Sequence, residues 1–171
     1  MACTAPGPDP TIYIAMKFQL LEGDILEQDV EVIVNAWNRN IIPWWLLFPQ
    51  GVSGAIKKKA GYQPFKEIGR LGAIPLGEAR ETSSGKLDYK SIIHVAGINM
   101  FWFATEKSVS NSVKNAMKIV NEKGYRSVAF PVIGAGSGNR GLKWSLDIMQ
   151  NTLEGIESDA VVKIVKFKGK S

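Results

Sequence analysis

The sequence predicts an α/β sandwich on a largely parallel sheet, and three observations carry that expectation. Strand-like and helix-like periodicities alternate along the chain. Two of the helical stripes stop at a glycine. The most glycine-rich stretch, IGAGSGNRG at residues 133 to 141, falls between a strand pattern and a helix pattern. Alternation of this kind builds a sheet covered by helices and leaves the loops at the carboxyl ends of the strands free for a ligand.

The elements follow in order. Residues 11 to 23, TIYIAMKFQLLEG, and residues 30 to 36, VEVIVNA, have the apolar and β-branched content of strands. From Gly51 the period changes: Val52, Ala55, Ile56 and Ala60 share one face of a short helix that Gly61 ends. Residues 79 to 83 and 91 to 97 read as strands. Val109, Val113, Ala116, Met117 and Val120 form a helical stripe closing at Lys123 and Gly124. SVAFPVI at 127 to 133 returns to strand, Leu142, Leu146, Met149 and Leu153 mark the last helix, and AVVKIVKF at 160 to 167 the last strand. Residues 1–15 are expected to be a flexible extension or a cloning remnant, with Met16 a candidate natural start and one domain over residues 16–171.

Composition narrows the chemistry. A chain of 171 residues with 45% hydrophobic content buries one ordinary core. One cysteine, Cys3, and one histidine, His94, exclude a disulfide framework and a Cys- or His-rich metal centre, so no metal and no cofactor are expected. The absence of a long apolar run and of a signal-peptide layout argues for a protein without membrane contact, expected in the cytoplasm and as a monomer. The formal charge of +5 suits an anionic partner, and a basic solvated surface accounts for it equally well.

Glycines between a strand and a helix remove side chains and let several N–H groups converge on an anion, typically phosphate; they also serve tight turns. The pattern GxxxxGK[ST] is absent, and the glycines lie too late in the chain for the first βα turn of a dinucleotide fold. At other strand ends stand Asp24, a candidate acceptor for an adenine amine or the cap of a turn, and Asn35 and Asn38, candidate partners of ribose hydroxyls or centres of Asx turns.

Taken together, EGDILEQDVEVIVNAWN, GVSGAIKKKAG, GEARETSSG, IIHVAG and SVAFPVIGAGSGNRG, in this order over about residues 17 to 168, resemble the successive motifs of the macrodomain family, the ADP-ribose-binding domains of the Appr-1''-P processing type. The resemblance implies a three-layer α/β/α fold around a mixed sheet, and ADP-ribose or an ADP-ribosylated macromolecule as partner. It also implies, in some members, hydrolysis of ADP-ribose from modified proteins, nucleic acids or O-acetyl-ADP-ribose. Carried over by position, Asp24 would meet the adenine amine, Ile25 the adenine region, and Asn35 and Asn38 the ribose side. Gly51, Val52 and Ser53 would flank the diphosphate on one side, and Ile133, Gly134, Ala135, Gly136, Ser137, Gly138 and Asn139 on the other.

The departures bear on catalysis. RNIIPWWLLFPQGV replaces the usual glycine run before the Gly-Val pair, Ser53 stands where hydrolytic members carry an acid, and Gly138 replaces a frequent aromatic. If the chain is an enzyme, Asn38, Asn139 and Arg140 are the residues left to orient water, ribose or leaving group in a substrate-assisted reaction; a binder with weak turnover is the favoured reading. A basic RNA- or nucleotide-binding module without catalysis is the alternative, with tryptophans stacking bases and lysines on phosphate. A phosphatase acting on an ADP-ribose phosphate ranks lower, having neither metal cluster nor nucleophilic cysteine.

The remaining conspicuous residues have plainer readings. His94 is expected to be packed and hydrogen-bonded, and Trp37 to pack against the insertion. Trp44, Trp45, Leu46, Leu47 and Phe48 are expected to close over core, with a ligand lid or a partner surface as alternatives. Lys57, Lys58, Lys59, Lys163, Lys166, Lys168 and Lys170 read as solvated faces.

Overall fold

The computed structural model describes residues 18–168 except Leu47, Gln50, Met100, Ser137 and Asn139. In chain order the elements are β1 (Phe18–Gly23), β2 (Val32–Trp37), α1 (Gly51–Ala60), α2 (Gln63–Arg70), β3 (Ala79–Thr82), β4 (Ser91–Ala96), α3 (Glu106–Lys123), β5 (Ser127–Pro131), α4 (Leu142–Glu154) and β6 (Val161–Phe167). The strands form one sheet in the order β1-β6-β5-β2-β4-β3. Every neighbouring pair is parallel except β3 with β4, so the sheet is mixed and largely parallel, as expected.

Alternation along the strands divides the core between the two faces. Val32 and Val34 of β2, with Ile93, Val95, Phe130 and Ile164, point to the layer of α3 and α4. Ile33 and Trp37, with Ile92, Ala129 and Val165, point to the layer of α1 and α2. Central strands buried on both faces read as continuous apolar runs, which is why VIVNAW and SIIHVA were legible as strands.

The helix α3 has its predicted stripe: Val109, Val113, Ala116, Met117 and Val120 are fully buried. Its start is fixed by a capping box, Ser108 N donating to Thr105 Oγ1 at 3.0 Å and Thr105 N to Ser108 Oγ at 2.9 Å. It ends at Gly124, whose φ of 67° is readily adopted only without a side chain. In α4 the buried line is Ser145, Met149 and Leu153, with Leu142 and Leu146 half-buried at its edge.

The helix α2 was absent from the sequence reading. Its eight residues QPFKEIGR hold a proline and a glycine, which read as turn. Proline falls at the helix start, where its missing N–H costs nothing, and Phe65 and Ile68, three apart, are buried beneath. A Cβ on Gly69 would come within 2.9 Å of Trp44 Cδ1, so the glycine lets the insertion lie against this helix.

Candidate functional site

A cleft of about 540 Å³ opens at the carboxyl ends of β2, β5 and β6, beside the residues that follow β4. One wall is the start of α1, where Gly51, Val52 and Ser53 line it; the facing wall is the glycine loop, through Ile133, Gly134, Ala135, Gly136 and Gly138. These two stretches lie far apart in sequence, and the parallel strands bring them to opposite sides of one opening.

Backbone geometry explains the glycines. Gly51 has φ 60° and Gly134 φ 89°, a region side chains disfavour. A Cβ on Gly134 would stand 2.9 Å from Ala104 Cβ, and one on Gly138 only 2.6 Å from the backbone of Gly134. At these two positions the loop is folded back so closely that a side chain has no room. Around Gly136, by contrast, nothing lies within 4 Å of such a Cβ.

The polar groups of the cleft are mostly backbone. The first N–H groups of a helix have no intrahelical acceptor, and α1 presents them at the cleft wall. Across the opening, the N–H groups of Gly136 and Gly138 have no acceptor among the described residues. Ser53 Oγ is buried and has no partner among the described residues. Among the described lining residues none is a carboxylate, an imidazole or a thiol, and the one charged side chain is Lys166. That lysine, read as solvated, stands at the cleft edge and donates to Glu22 at 2.8 Å.

The other anticipated residues lie elsewhere. Asp24 caps the turn after β1, accepting from Leu26 N at 2.9 Å, with Lys59 Nζ 3.9 Å away; Ile25 is buried next to it in the core. Asn35 is fully buried beneath the cleft floor, bonded to His94. Asn38 centres an Asx turn, accepting from Asn40 N at 2.7 Å, and lines a separate recess of about 80 Å³ with Asn99 and Trp102. Arg140 is held between Phe103 and Trp144, 5.1 and 4.9 Å from their ring centres, and donates through Nε to the Ala104 carbonyl. It braces the loop rather than entering the cleft. Ser137 and Asn139 lie outside the described residues.

Residues not anticipated from sequence also line the cleft, among them Ala36, Gly97, Leu142 and Phe167. Each sits at or just beyond a strand end or at a helix start, which is the signal that would have found them. A Cβ on Gly97 would reach 2.6 Å from Ile133 Cγ2.

The insertion divides. Trp44 packs on the core beside α2 and tilts against Tyr62 at 5.6 Å, while Trp45, Leu46 and Phe48 are exposed; Leu47 lies outside the described residues. Trp37 packs on Phe65, ring centres 5.2 Å apart, and reaches the chain before the insertion through Asn40 Oδ1 at 3.4 Å. Lys57 is not on a solvated face: it donates to the Trp44 carbonyl, stands beside the rings of Trp44, Phe48 and Phe65, and burial lowers its pKa.

Known proteins share this arrangement. The family model described as Macro domain matches residues 34–149. The chain belongs to the macrodomain family. A macro domain-containing protein of Listeria monocytogenes serotype 4b is 40% identical over 129 residues, covering 71% of this chain and 69% of the relative. Among solved structures, a point variant of the Oceanobacillus iheyensis macrodomain with ADPR superposes with a TM-score of 0.80 at 28% identity, covering 92% of this chain and 88% of the other. The same macrodomain with ADP gives 0.79 at 29% identity, covering 92% and 86%. The Trypanosoma brucei macrodomain in complex with ADP-ribose shares the fold, with a TM-score of 0.76 at 20% identity, over 93% and 67% of the two chains. Among the described residues of this macrodomain, no helix is long and apolar enough to cross a membrane, and no group of three or more His, Cys, Asp or Glu could hold a metal ion.

Proposed function

We propose that this macrodomain binds ADP-ribose, free or attached to a macromolecule, in the 540 Å³ cleft, with slow turnover or none. The observation that carries the reading is the pair of facing walls built from backbone: the amino end of α1, whose first N–H groups have no intrahelical acceptor, and the glycine loop, where the N–H groups of Gly136 and Gly138 have no acceptor among the described residues. Such donors are fixed in place, so a diphosphate between them is held without a metal. The solved relatives carrying ADPR and ADP support the same assignment.

In this reading Gly51, Val52 and Ser53 take one side of the diphosphate and residues 133 to 139 the other. The carboxylate of Asp24 accepts from the adenine amine while keeping its turn capped, and Ile25 backs the adenine region. Asn38 and its recess receive the distal ribose, Asn35 supports them from below through the core, and Arg140 shapes the loop from behind.

Hydrolysis needs a water to be oriented and deprotonated, and a serine hydroxyl does neither task of a carboxylate near neutral pH. With no carboxylate, imidazole or thiol in the described lining, substrate-assisted attack with Asn38 as orienting group is the route left, and phosphate-ester processing finds neither a metal cluster nor a cysteine nucleophile among the described residues. Thermal unfolding with increasing ADP-ribose, against AMP and ribose 5-phosphate, tests the binding. A saturable rise in Tm specific to ADP-ribose supports it; equal rises with AMP would assign the cleft to a mononucleotide instead.

A further inference from the structure

A second concavity, of about 460 Å³, lies between the insertion and α2 and shares no residue with the cleft. Ile41, Pro43, Trp44 and Trp45 form one side, and Lys66, Gly69 and Arg70 the other. Lys66 and Arg70 are four apart and so share one face of α2, in line with Tyr62 a further turn back. All three are exposed. Neither cation has a hydrogen bond or an ion pair among the described residues. The acid of this helix, Glu67, makes its hydrogen bonds to Ser83, accepting from its N–H at 2.7 Å and its hydroxyl at 2.8 Å, and to Gln63; it feels the charge of Arg70 without forming an ion pair with it. No carboxylate lines the concavity.

Its floor is deliberate geometry. Gly69 leaves the gap in which Trp44 seats, and Trp44 is further held by Tyr62 and by Lys57 at its carbonyl. Trp45, 63% exposed, is left with its ring at the opening.

We propose that this concavity is a binding site for single-stranded nucleic acid, with a base stacked on Trp45 and successive phosphates on Lys66 and Arg70. A flat aromatic face beside exposed cations that are not engaged in ion pairs is the chemistry that recognises a chain of alternating bases and phosphates. An acidic peptide would use the cations and leave the indole unemployed. A membrane would call for a protruding apolar surface rather than a recess with amide and cationic walls.

Fluorescence anisotropy of a labelled single-stranded oligonucleotide of about ten residues, at low salt and then rising salt, tests this. Binding is expected, weakened about 5- to 150-fold by Trp45→Ala. Lys66→Gln combined with Arg70→Gln is expected to make the slope of log K against log salt shallower by about 1.4. An excess of ADP-ribose should not compete, and ADP-ribose titration of the variants, whose changed residues are all exposed, should match the unsubstituted protein. Failure to bind the oligonucleotide, binding that ignores these substitutions, or capture by anionic vesicles in its place would each overturn the proposal.

Discussion

Asn35 and His94 lie side by side on β2 and β4 and are joined at 3.1 Å, Asn35 Nδ2 to His94 Nδ1. The other ring nitrogen, Nε2, stands 2.9 Å from Thr82 Oγ1, whose hydroxyl donates to the Ser83 carbonyl at 3.0 Å. Donation from the amide to Nδ1 leaves the proton on Nε2, so the neutral ring completes a chain of three bonds across the sheet. Asn35 Oδ1 remains buried without a partner among the described residues, which marks the linkage as costly and the orientation as held by its surroundings.

Burial lowers the His94 pKa from 6.5 to about 3. The unfolded chain then binds a proton that the folded one refuses, so this group's contribution to stability is full above about pH 6.5 and declines as pH falls toward 3. The chain has a single histidine, giving one imidazole signal. Its NMR shifts should stay those of the neutral Nε2–H form from pH 8 down to about 5. A titration midpoint near 6.5 would contradict the buried linkage. Asn35→Ala should lower stability by about 1–3 kcal/mol in denaturant melts, since it leaves Nδ1 unpaired.

At the opposite end of the sheet from the cleft, Glu31 gathers the starts of three strands. It accepts from Lys90 Nζ at 2.7 Å before β4, and from the Arg126 N–H at 2.8 Å before β5, while its own N–H donates to Ser127 Oγ at 2.9 Å. The Lys90 bond, then that of the Arg126 backbone, hold its pKa at about 2 instead of 4.5. A depressed carboxyl contributes stability above its unfolded pKa and loses it as pH falls through the folded one, here between about pH 5 and 2. Glu31→Gln should flatten the fall in Tm across that window. An unchanged acid profile would show the hub to be idle.

Two glycines of the loop separate folding from binding. At Gly138 a Cβ would meet the Gly134 backbone, so Gly138→Ala should cost about 1–3 kcal/mol and binding together. At Gly136 a side chain meets no protein atom but enters the cleft, so Gly136→Val should leave Tm within about 1–2 °C and still weaken ADP-ribose strongly. Unimpaired binding in Gly136→Val would move the diphosphate elsewhere.

Catalysis should be feeble. On mono-ADP-ribosylated protein or O-acetyl-ADP-ribose, rates are expected about 10²–10⁴ below those of an enzyme with a general base. Release of ADP-ribose at a fast rate that Asn38→Ala abolishes would show that the amide alone suffices.

Sheet and site were legible to different depths. The strands and the stripe of α3 follow from burial on one or both faces, a property each residue carries into the sequence; α2 escaped because its proline and glycine signal turn, when the first sits at the helix start and the second makes room for Trp44. The glycine loop was legible from its own pattern because backbone approach demands glycine, whereas the Gly51-Val52-Ser53 wall was named through the family resemblance. Lys57 was misread, since nothing local shows that an insertion folds over it; Lys166 is solvated as read, but nothing local shows that it also borders the cleft. Asn38 divides in the same way: its Asx turn, closed by Asn40 two residues on, was one of its readings from sequence, whereas its place by the recess depends on Trp102, far away in sequence.

Isothermal titration with ADP-ribose, with AMP and NAD as controls, tests the central claim most directly. One site of micromolar affinity, weakened about tenfold or more by Asp24→Ala, is the predicted result. No heat with ADP-ribose, or heat that Asp24→Ala and Gly136→Val both leave unchanged, would contradict it.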